Sequence, residues 1–309
     1  MIGITLGEYF GIGPEILLKT YAELGDRFPS SKIYGSSSLL EQRAKELDLP
    51  HFWEHGDFEI IDTYPKWVSK GDSKSRAEYV LSTLNHGIDD ANNNRISSLV
   101  TCPIDKSIVQ FLLPNFTGHT EYLAEKTGVD KTIMLLNNKE FSIALLSNHV
   151  SLRQVSPFLS SSNLQETIRT AVQSFSRHFL VNDPKIAVLG LNPHAGELDN
   201  QSEEKIILVP LIQKLQKEIN IQGPFPADSF FPKARHEKWD LIFSPFHDQG
   251  LVAAKYNGLE SVINITLGMP FLRVSPGHGV AYDLVGQNKA NHRSFQRAVL
   301  SAQKHSLNV

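Results

Sequence analysis

Short apolar runs alternate with longer segments of helical periodicity along the whole chain. The runs IGITL (2–6), KIYG (32–35), SSLVTCPI (97–104), FSIALLS (141–147), KIAVLGL (185–191), DLIFSPF (240–246) and SVINITLG (261–268) are short and rich in Ile, Val, Leu and Phe. Without a clean polar alternation, they read as strands buried on both faces. Between them, GIGPEILLKTYAEL (11–24), SLLEQRAKELD (38–48), SKSRAEYVLSTLNHGIDDAN (73–92), NLQETIRTAVQSF (163–175), SEEKIILVPLIQKLQKEI (202–219) and SFQRAVLSAQKH (294–305) read as helices. Pro14 and Glu15 suit a first helical turn. The stretch PHFWEHGDFEIIDTYPKW (50–67) reads as a connection with one strand inside it. This alternation predicts an α/β fold, its strands largely parallel and its helices on both faces. No repeat, low-complexity segment or linker marks a domain boundary, which points to two lobes sharing strands.

Three of the apolar runs end just before a histidine: His149 after FSIALLSN, His194 after KIAVLGLNP and His247 after DLIFSPF. Ligands bind outside the carboxyl ends of strands in open α/β sheets. Three neutral imidazoles converging there would make an open metal site with room for a substrate oxygen. Taken singly, each of the three, among 12 histidines in the chain, also reads as a hydrogen-bonded structural residue. Pro193 and Gly196 favour a tight turn round His194. Asp248 is placed to orient His247, and a helix can begin after His149.

Composition narrows the function classes. A chain of 309 residues, 41% hydrophobic and 20% charged, is ordinary for a globular protein. Its net charge of −3 gives no reason to expect nucleic acid or a membrane surface as a partner. Cys102 is the only cysteine, so no internal disulfide can form. MIGITLGEYF carries no basic leader, and no apolar run approaches the ~18 residues of a membrane span. A cytoplasmic protein is the expectation.

The motifs NPHAGE, GPFPADSFF, HDQGL and NITLGMPFLRVS, with GIGPEI, TCPIDK (101–106) and GHTEYLA (118–124) in the same order, resemble those of the 4-hydroxythreonine-4-phosphate dehydrogenase (PdxA) family nearly end to end. The resemblance implies an isocitrate/isopropylmalate dehydrogenase-like fold, with two α/β/α lobes flanking a cleft. The expected division is 1–118 plus 281–309 for the first lobe, and 119–280 for a second lobe carrying the metal site and dimer interface. It also implies a homodimer with a shared active site and a nicotinamide cofactor, NAD or NADP. That cofactor is bound without the usual Rossmann fingerprint, in keeping with the GxxxGxG spacing of Gly7, Gly11 and Gly13. The metal ligands correspond to His149, His194 and His247, one of them supplied by the partner subunit. The substrate-binding residues correspond to His119, Thr120, Lys255, Asn264 and Arg273.

The implied reaction is metal-dependent oxidation of 4-phosphooxy-L-threonine to a 2-amino-3-oxo acid. That acid decarboxylates to 3-amino-2-oxopropyl phosphate, on the way to pyridoxal 5'-phosphate. Imidazole ligands suit zinc, cobalt, nickel or iron(II), and substrate oxygens also admit magnesium or manganese. Arg273 offers a planar fork for phosphate or carboxylate and Lys255 a point charge. Asp228 is the carboxylate expected to meet the substrate amine or assist the metal, and it and Lys255 are the candidate catalytic residues. Asp105 and Lys106 are candidates for the rim. On residue type alone, Lys255 reads as a solvated lysine, Arg273 as a surface ion pair, Asn264 and Asp228 as caps, and Asp283 as a cap of the last helix.

The chain departs from the family pattern in several places. GEYFG stands where GDPAG is usual, Asp105 where Asn is usual, LDNQSEE follows NPHAGE in place of a glycine-rich turn, and GHGVA replaces DHGTA. The changes at Glu8, Gly277 and Val280 fall where cofactor contacts are expected. The alternatives are a paralogue oxidising 4-phospho-D-erythronate or D-threonate 4-phosphate, and a metal- and ligand-binding homologue without turnover.

Overall fold

The computed structural model describes residues 1–49, 58–64 and 72–306. They form two compact units: Met1–Asp130 with Leu259–Asn264 and Met269–Val309, and Lys131–Gly258 with Ile265–Gly268. The mixed α/β class read from the alternation is the observed one.

In the first unit, β1 (Ile2–Thr5) leads into α1 (Gly13–Leu24), then β2 (Ser31–Gly35), α2 (Ser37–Leu47), β3 (Phe58–Asp62), α3 (Ser73–Asn92), β4 (Ser98–Thr101), α4 (Lys106–Gln110) and α5 (His119–Thr127). Every residue of β1 and β4 is buried, as an unalternating apolar run requires. Capping side chains set where the helices begin. Ser36 Oγ accepts the Leu39 amide at 3.3 Å ahead of α2, and Asp72 accepts the Ser75 amide at 2.8 Å ahead of α3. Pro14 opens α1 without any side-chain cap, and Gly25, at φ 52°, closes it. β3 is the strand expected inside 50–67; residues 50–57 and 65–67 of that stretch lie outside the described residues.

The second unit runs β5 (Ile133–Asn137), β6 (Ser142–Leu145), α6 (Leu152–Ser161), α7 (Leu164–Phe179), β7 (Ile186–Leu189), α8 (Val209–Leu215), β8 (Ile221–Phe225), α9 (Ala227–Ala234), β9 (Leu241–Ser244) and α10 (His247–Lys255). Its strands lie in the order β5-β6-β9-β7-β8. Three of the four pairings are parallel, and β5 with β6 is antiparallel. The connection from Asn137 to Ser142 is too short for the crossover that a parallel pair needs. Asn138 closes it by accepting the Glu140 and Phe141 amides at 2.8 and 2.7 Å. α7 buries Leu164, Ile168, Ala171, Val172 and Phe175, one helical stripe.

The single helix expected over 202–219 is not what forms. Glu204–Leu208 winds as a π-helical turn, and α8 follows from Val209 to Leu215. Pro210 supplies no amide and crowds the carbonyl of Ile206, so the chain widens ahead of it.

The chain then gives β10 (Ile263–Leu267), β11 (Leu272–Pro276) and α11 (Arg293–Ser306). The first two residues of β10 group with the first unit and the last three with the second. β11 pairs in parallel with β4, completing the first-unit order β3-β2-β1-β4-β11. α5 packs on α3. These two contacts draw residues 119–130 and 269–280 into the first unit, where the sequence division set them in the second. Cys102 is buried and unpaired. No described helix is long and apolar enough to cross a membrane.

Candidate active site

The second unit carries all three strand-end histidines. β6, β9 and β7 are consecutive neighbours and run parallel, so their carboxyl ends open on one edge of that sheet. His149, His247 and His194 stand just past those ends. The rings of His149 and His247 lie 5.8 Å apart, centroid to centroid. Nδ1–H of His247 donates to Asp248 Oδ1 at 2.7 Å, which leaves Nε2 as the free lone pair, the arrangement a ligating imidazole needs. His149 (φ 54°) and His194 (φ 52°) both hold left-handed backbone, as does Ala195 (φ 51°). Non-glycine residues there cost on the order of 1 kcal/mol each and persist where their surroundings fix them.

Among the described residues, no three His, Cys, Asp or Glu side chains form a group able to hold a metal ion. Within this one chain, the pair of His149 and His247 is what the structure brings together. The pair supplies two imidazole donors, one oriented by a carboxylate, which is a donor type that divalent transition metals take.

Asp228 and Lys255 also belong to the second unit. Asp228 lies in the first turn of α9, whose N-cap is Pro226, so it does not serve as the cap. It lines a cavity of about 570 Å³ with Phe231, Arg235, Asp248 and Tyr256. Lys255 closes α10.

The remaining substrate candidates belong to the first unit. Arg273 is the second residue of β11, at only 3% exposure. Its Nε and Nη2 donate to Thr101 Oγ1, at the end of β4, at 3.2 and 2.8 Å. Burial draws the guanidinium down to about 10, against the pull of Glu121, so it remains charged at neutral pH. His119 and Thr120 open α5. Nε2 of His119 is shielded from solvent and has no protein partner. Burial first, then the positive charges of Arg273 and Lys106, holds this imidazole well below its usual range, so it is neutral. Oδ1 of Asn264 is likewise shielded and unpartnered. A Cβ on Gly118 would come within 3.5 Å of Lys106 Nζ, so the glycine lets the ammonium lie against the backbone there. These are groups built to meet a ligand: two cations and polar atoms that no protein group satisfies. Thr101 was not singled out by sequence, although it lies inside the TCPIDK motif; only the pairing of β4 with β11 reveals it as the support of Arg273.

A neutral His119 has a consequence for stability. The unfolded chain takes up a proton at this histidine near pH 6.5 and the folded chain does not, so stability falls as pH drops through that value. His119→Asn removes this term. Between pH 7.5 and 5.5, its loss of unfolding free energy is expected to be about 1.4 kcal/mol smaller than that of the wild type. Denaturant titrations at the two pH values measure it. Equal pH dependence in the two proteins would mean that His119 is protonated in the folded state.

Two of the departures from the family pattern, at GEYFG and Asp105, meet in one network, also in the first unit. Glu8 is fully buried; its Oε1 accepts the Phe10 amide at 3.3 Å and Arg76 Nε at 3.1 Å. Arg76 Nη2 donates to the Tyr282 hydroxyl at 2.8 Å, which in turn donates to Asp105 Oδ2 at 2.8 Å. The guanidinium also lies over the rings of Phe10 and Tyr282, at 5.2 and 5.6 Å. Burial raises the Glu8 carboxyl above its usual range, and Arg76 opposes that rise without cancelling it. The amide of Ile12 donates to Val280 O at 3.1 Å, so the two stretches expected to contact a cofactor touch. Nε2 of His278 there is shielded and without a protein partner. A shielded nitrogen without a protein partner suits a polar ligand at this stretch.

Comparison with known proteins places this geometry. Residues 13–302 match the family described as pyridoxal phosphate biosynthetic protein PdxA. The chain is 33% identical over 314 residues to a 4-hydroxythreonine-4-phosphate dehydrogenase of Marinobacter nauticus, covering 97% of this chain and 93% of that one. The crystal structure of the enzyme of that name from Klebsiella pneumoniae superposes with a TM-score of 0.85 at 27% identity, covering 99% of each chain. A beta-decarboxylating dehydrogenase from Thermococcus kodakarensis has a TM-score of 0.51 at 13% identity, covering 98% of this chain and 81% of that one, and shares the fold alone. With matches that run nearly its whole length, this chain belongs to the PdxA family.

Proposed function

We propose that this chain is a metal-dependent, NAD(P)-linked dehydrogenase that oxidises 4-phosphooxy-L-threonine in pyridoxal 5'-phosphate biosynthesis. The 2-amino-3-oxo acid formed loses carbon dioxide to give 3-amino-2-oxopropyl phosphate. The observation that carries this reading is the neutral, shielded His119 beside the buried, charged Arg273, an anion-binding pair in a chain of this family.

Arg273, oriented by Thr101, takes a phosphate or carboxylate with two N–H groups, and Lys106 adds a point charge. Neutral His119 offers a hydrogen bond without adding a third cation, and Asn264 and Thr120 offer further polar atoms. In the second unit, His149, His194 and His247 would hold a divalent cation such as zinc, cobalt, magnesium or manganese, with Asp248 fixing the tautomer of His247. Such a cation supplies Lewis acidity toward the substrate hydroxyl, and a nicotinamide cofactor supplies the hydride acceptor. Asp228 is assigned to the substrate ammonium and Lys255 to an anionic group of the substrate.

A homodimer with a shared site is part of this proposal. Large apolar side chains stand exposed just after each histidine: Leu152 at 69%, Leu198 at 91% and Val252 at 67%. A second copy would cover them. Mixing a variant that lacks the histidine given to the partner's site with one that lacks a histidine kept at its own site is expected to restore part of the wild-type turnover, since one site of each mixed dimer then keeps all its ligands; His149, His194 and His247 variants are mixed in all three pairs. Absence of any rescue counts against sharing.

Purified protein supplied with a divalent cation, NAD⁺ or NADP⁺, and each of 4-phosphooxy-L-threonine, 4-phospho-D-erythronate and D-threonate 4-phosphate tests the reaction by absorbance of the reduced nicotinamide. Turnover of the threonine derivative is expected. No turnover on any of the three, with cation bound, would sink the dehydrogenase reading.

A further inference from the structure

The turn that carries His194 is built round a buried carboxylate. Glu204 is 1% exposed and lies in the π-helical turn that precedes α8. Its Oε1 accepts the amides of Leu191 and Asn192 at 2.6 and 2.7 Å, and its Oε2 accepts Asn192 Nδ2 at 2.9 Å. No cation pairs with it among the described residues; backbone and amide N–H groups satisfy it. The two glycines of the turn make room for it. A Cβ on Gly190 would come within 3.1 Å of Oε1, and one on Gly196 within 2.5 Å of Oε2.

The connection that bears His247 is tied to the same point. Asn192 Nδ2 also donates to Glu203 Oε2 at 2.6 Å. Gln249, two residues past His247, donates to Gly190 O at 2.7 Å and accepts from Ser244 Oγ at 2.9 Å. The turn from Gly190 to Asn192 thus also receives Gln249 from the His247 connection, and Glu204 fixes its backbone.

We infer that Glu204 is the positioning residue of the histidine cluster: by gathering the Leu191 and Asn192 amides and the Asn192 side chain, it holds the left-handed turn that presents His194 and sets the cluster's affinity for a divalent cation. This inference rests on the reading of His149, His194 and His247 as cation ligands. A carboxylate accepts all three donors. Glutamine keeps the shape and accepts at one oxygen, while its NH₂ confronts Asn192 Nδ2, donor against donor.

Glu204→Gln is therefore expected to weaken binding of Co²⁺ or Zn²⁺ by 10- to 100-fold, measured by calorimetry or by cobalt absorption on the intact protein. In the metal-free protein, the Leu191 and Asn192 amides are expected to exchange hydrogen at least about tenfold faster in the variant. In a His194→Ala background, Glu204→Gln is expected to have no further effect on affinity, since its action runs through His194. Failure of the wild type to bind either cation overturns the ligand reading and this inference with it. Binding by the wild type with unchanged affinity in Glu204→Gln, or an equal loss in the His194→Ala background, overturns the inference alone. If Glu204→Gln does not fold, Gly196→Ala, which pushes a methyl group onto the same carboxylate, is expected to reproduce the affinity loss; unchanged affinity there overturns the inference.

Discussion

His247→Ala is expected to abolish cation binding and to lower turnover by about 10³-fold or more, equivalent to roughly 4 kcal/mol of lost transition-state stabilisation. The fold is expected to survive, because His247 begins α10 half-exposed and its one side-chain bond is to exposed Asp248. The cost in stability should be below about 1 kcal/mol. Elemental analysis of the purified variant, with circular dichroism as the folding control, checks both halves. A folded variant that keeps full cation content would show that His247 is not a ligand. Its contact with His149 at 5.8 Å would then be a surface pairing of two imidazoles.

Arg273→Lys is expected to lower kcat/KM about 100-fold, or ~3 kcal/mol, although the charge is retained. An ammonium cannot present two parallel N–H groups to an oxyanion. It also cannot keep both bonds to Thr101, whose hydroxyl receives Nε and Nη2 together. The loss should appear in KM as well as kcat, since the contact exists before the reaction begins. A value of kcat/KM within threefold of the wild type would mean that Arg273 contributes only its charge, or that it braces β4 against β11 and meets no substrate.

Much of this was legible from residue order. Unalternating runs such as FSIALLS and DLIFSPF are buried strands, and the three histidines do follow neighbouring parallel strands. Other features needed three dimensions. β5 and β11 are absent from the runs read as strands: β5 holds the uninterrupted apolar run IMLL, whereas FLRVSP is broken by Arg273, and cross-strand pairing selects both. The buried character of Arg273 is invisible in a motif, where an arginine reads as a surface ion pair. Its burial follows from its place in β11, a strand buried along its whole length, opposite Leu99 of β4. Glu204 offered no signal beyond standing in a segment that departs from the family pattern, because its partners are backbone amides that carry no residue identity. The helix read over 202–219 failed for a local reason that was on view, Pro210.

Glu8, Arg76, Tyr282 and Asp105 also bear on how this loop system can be rebuilt. They come from four separate segments of the chain, yet each uses the next as its hydrogen-bond partner. Transplanting the GDPAG turn alone would shorten the carboxylate that meets Arg76 and remove the Phe10 ring on which its guanidinium lies. These positions therefore behave as a single cassette. Protein engineers seeking to convert this chain toward the common family pattern must exchange all four segments in one step, and intermediates that mix the two solutions will be the least stable members of the series.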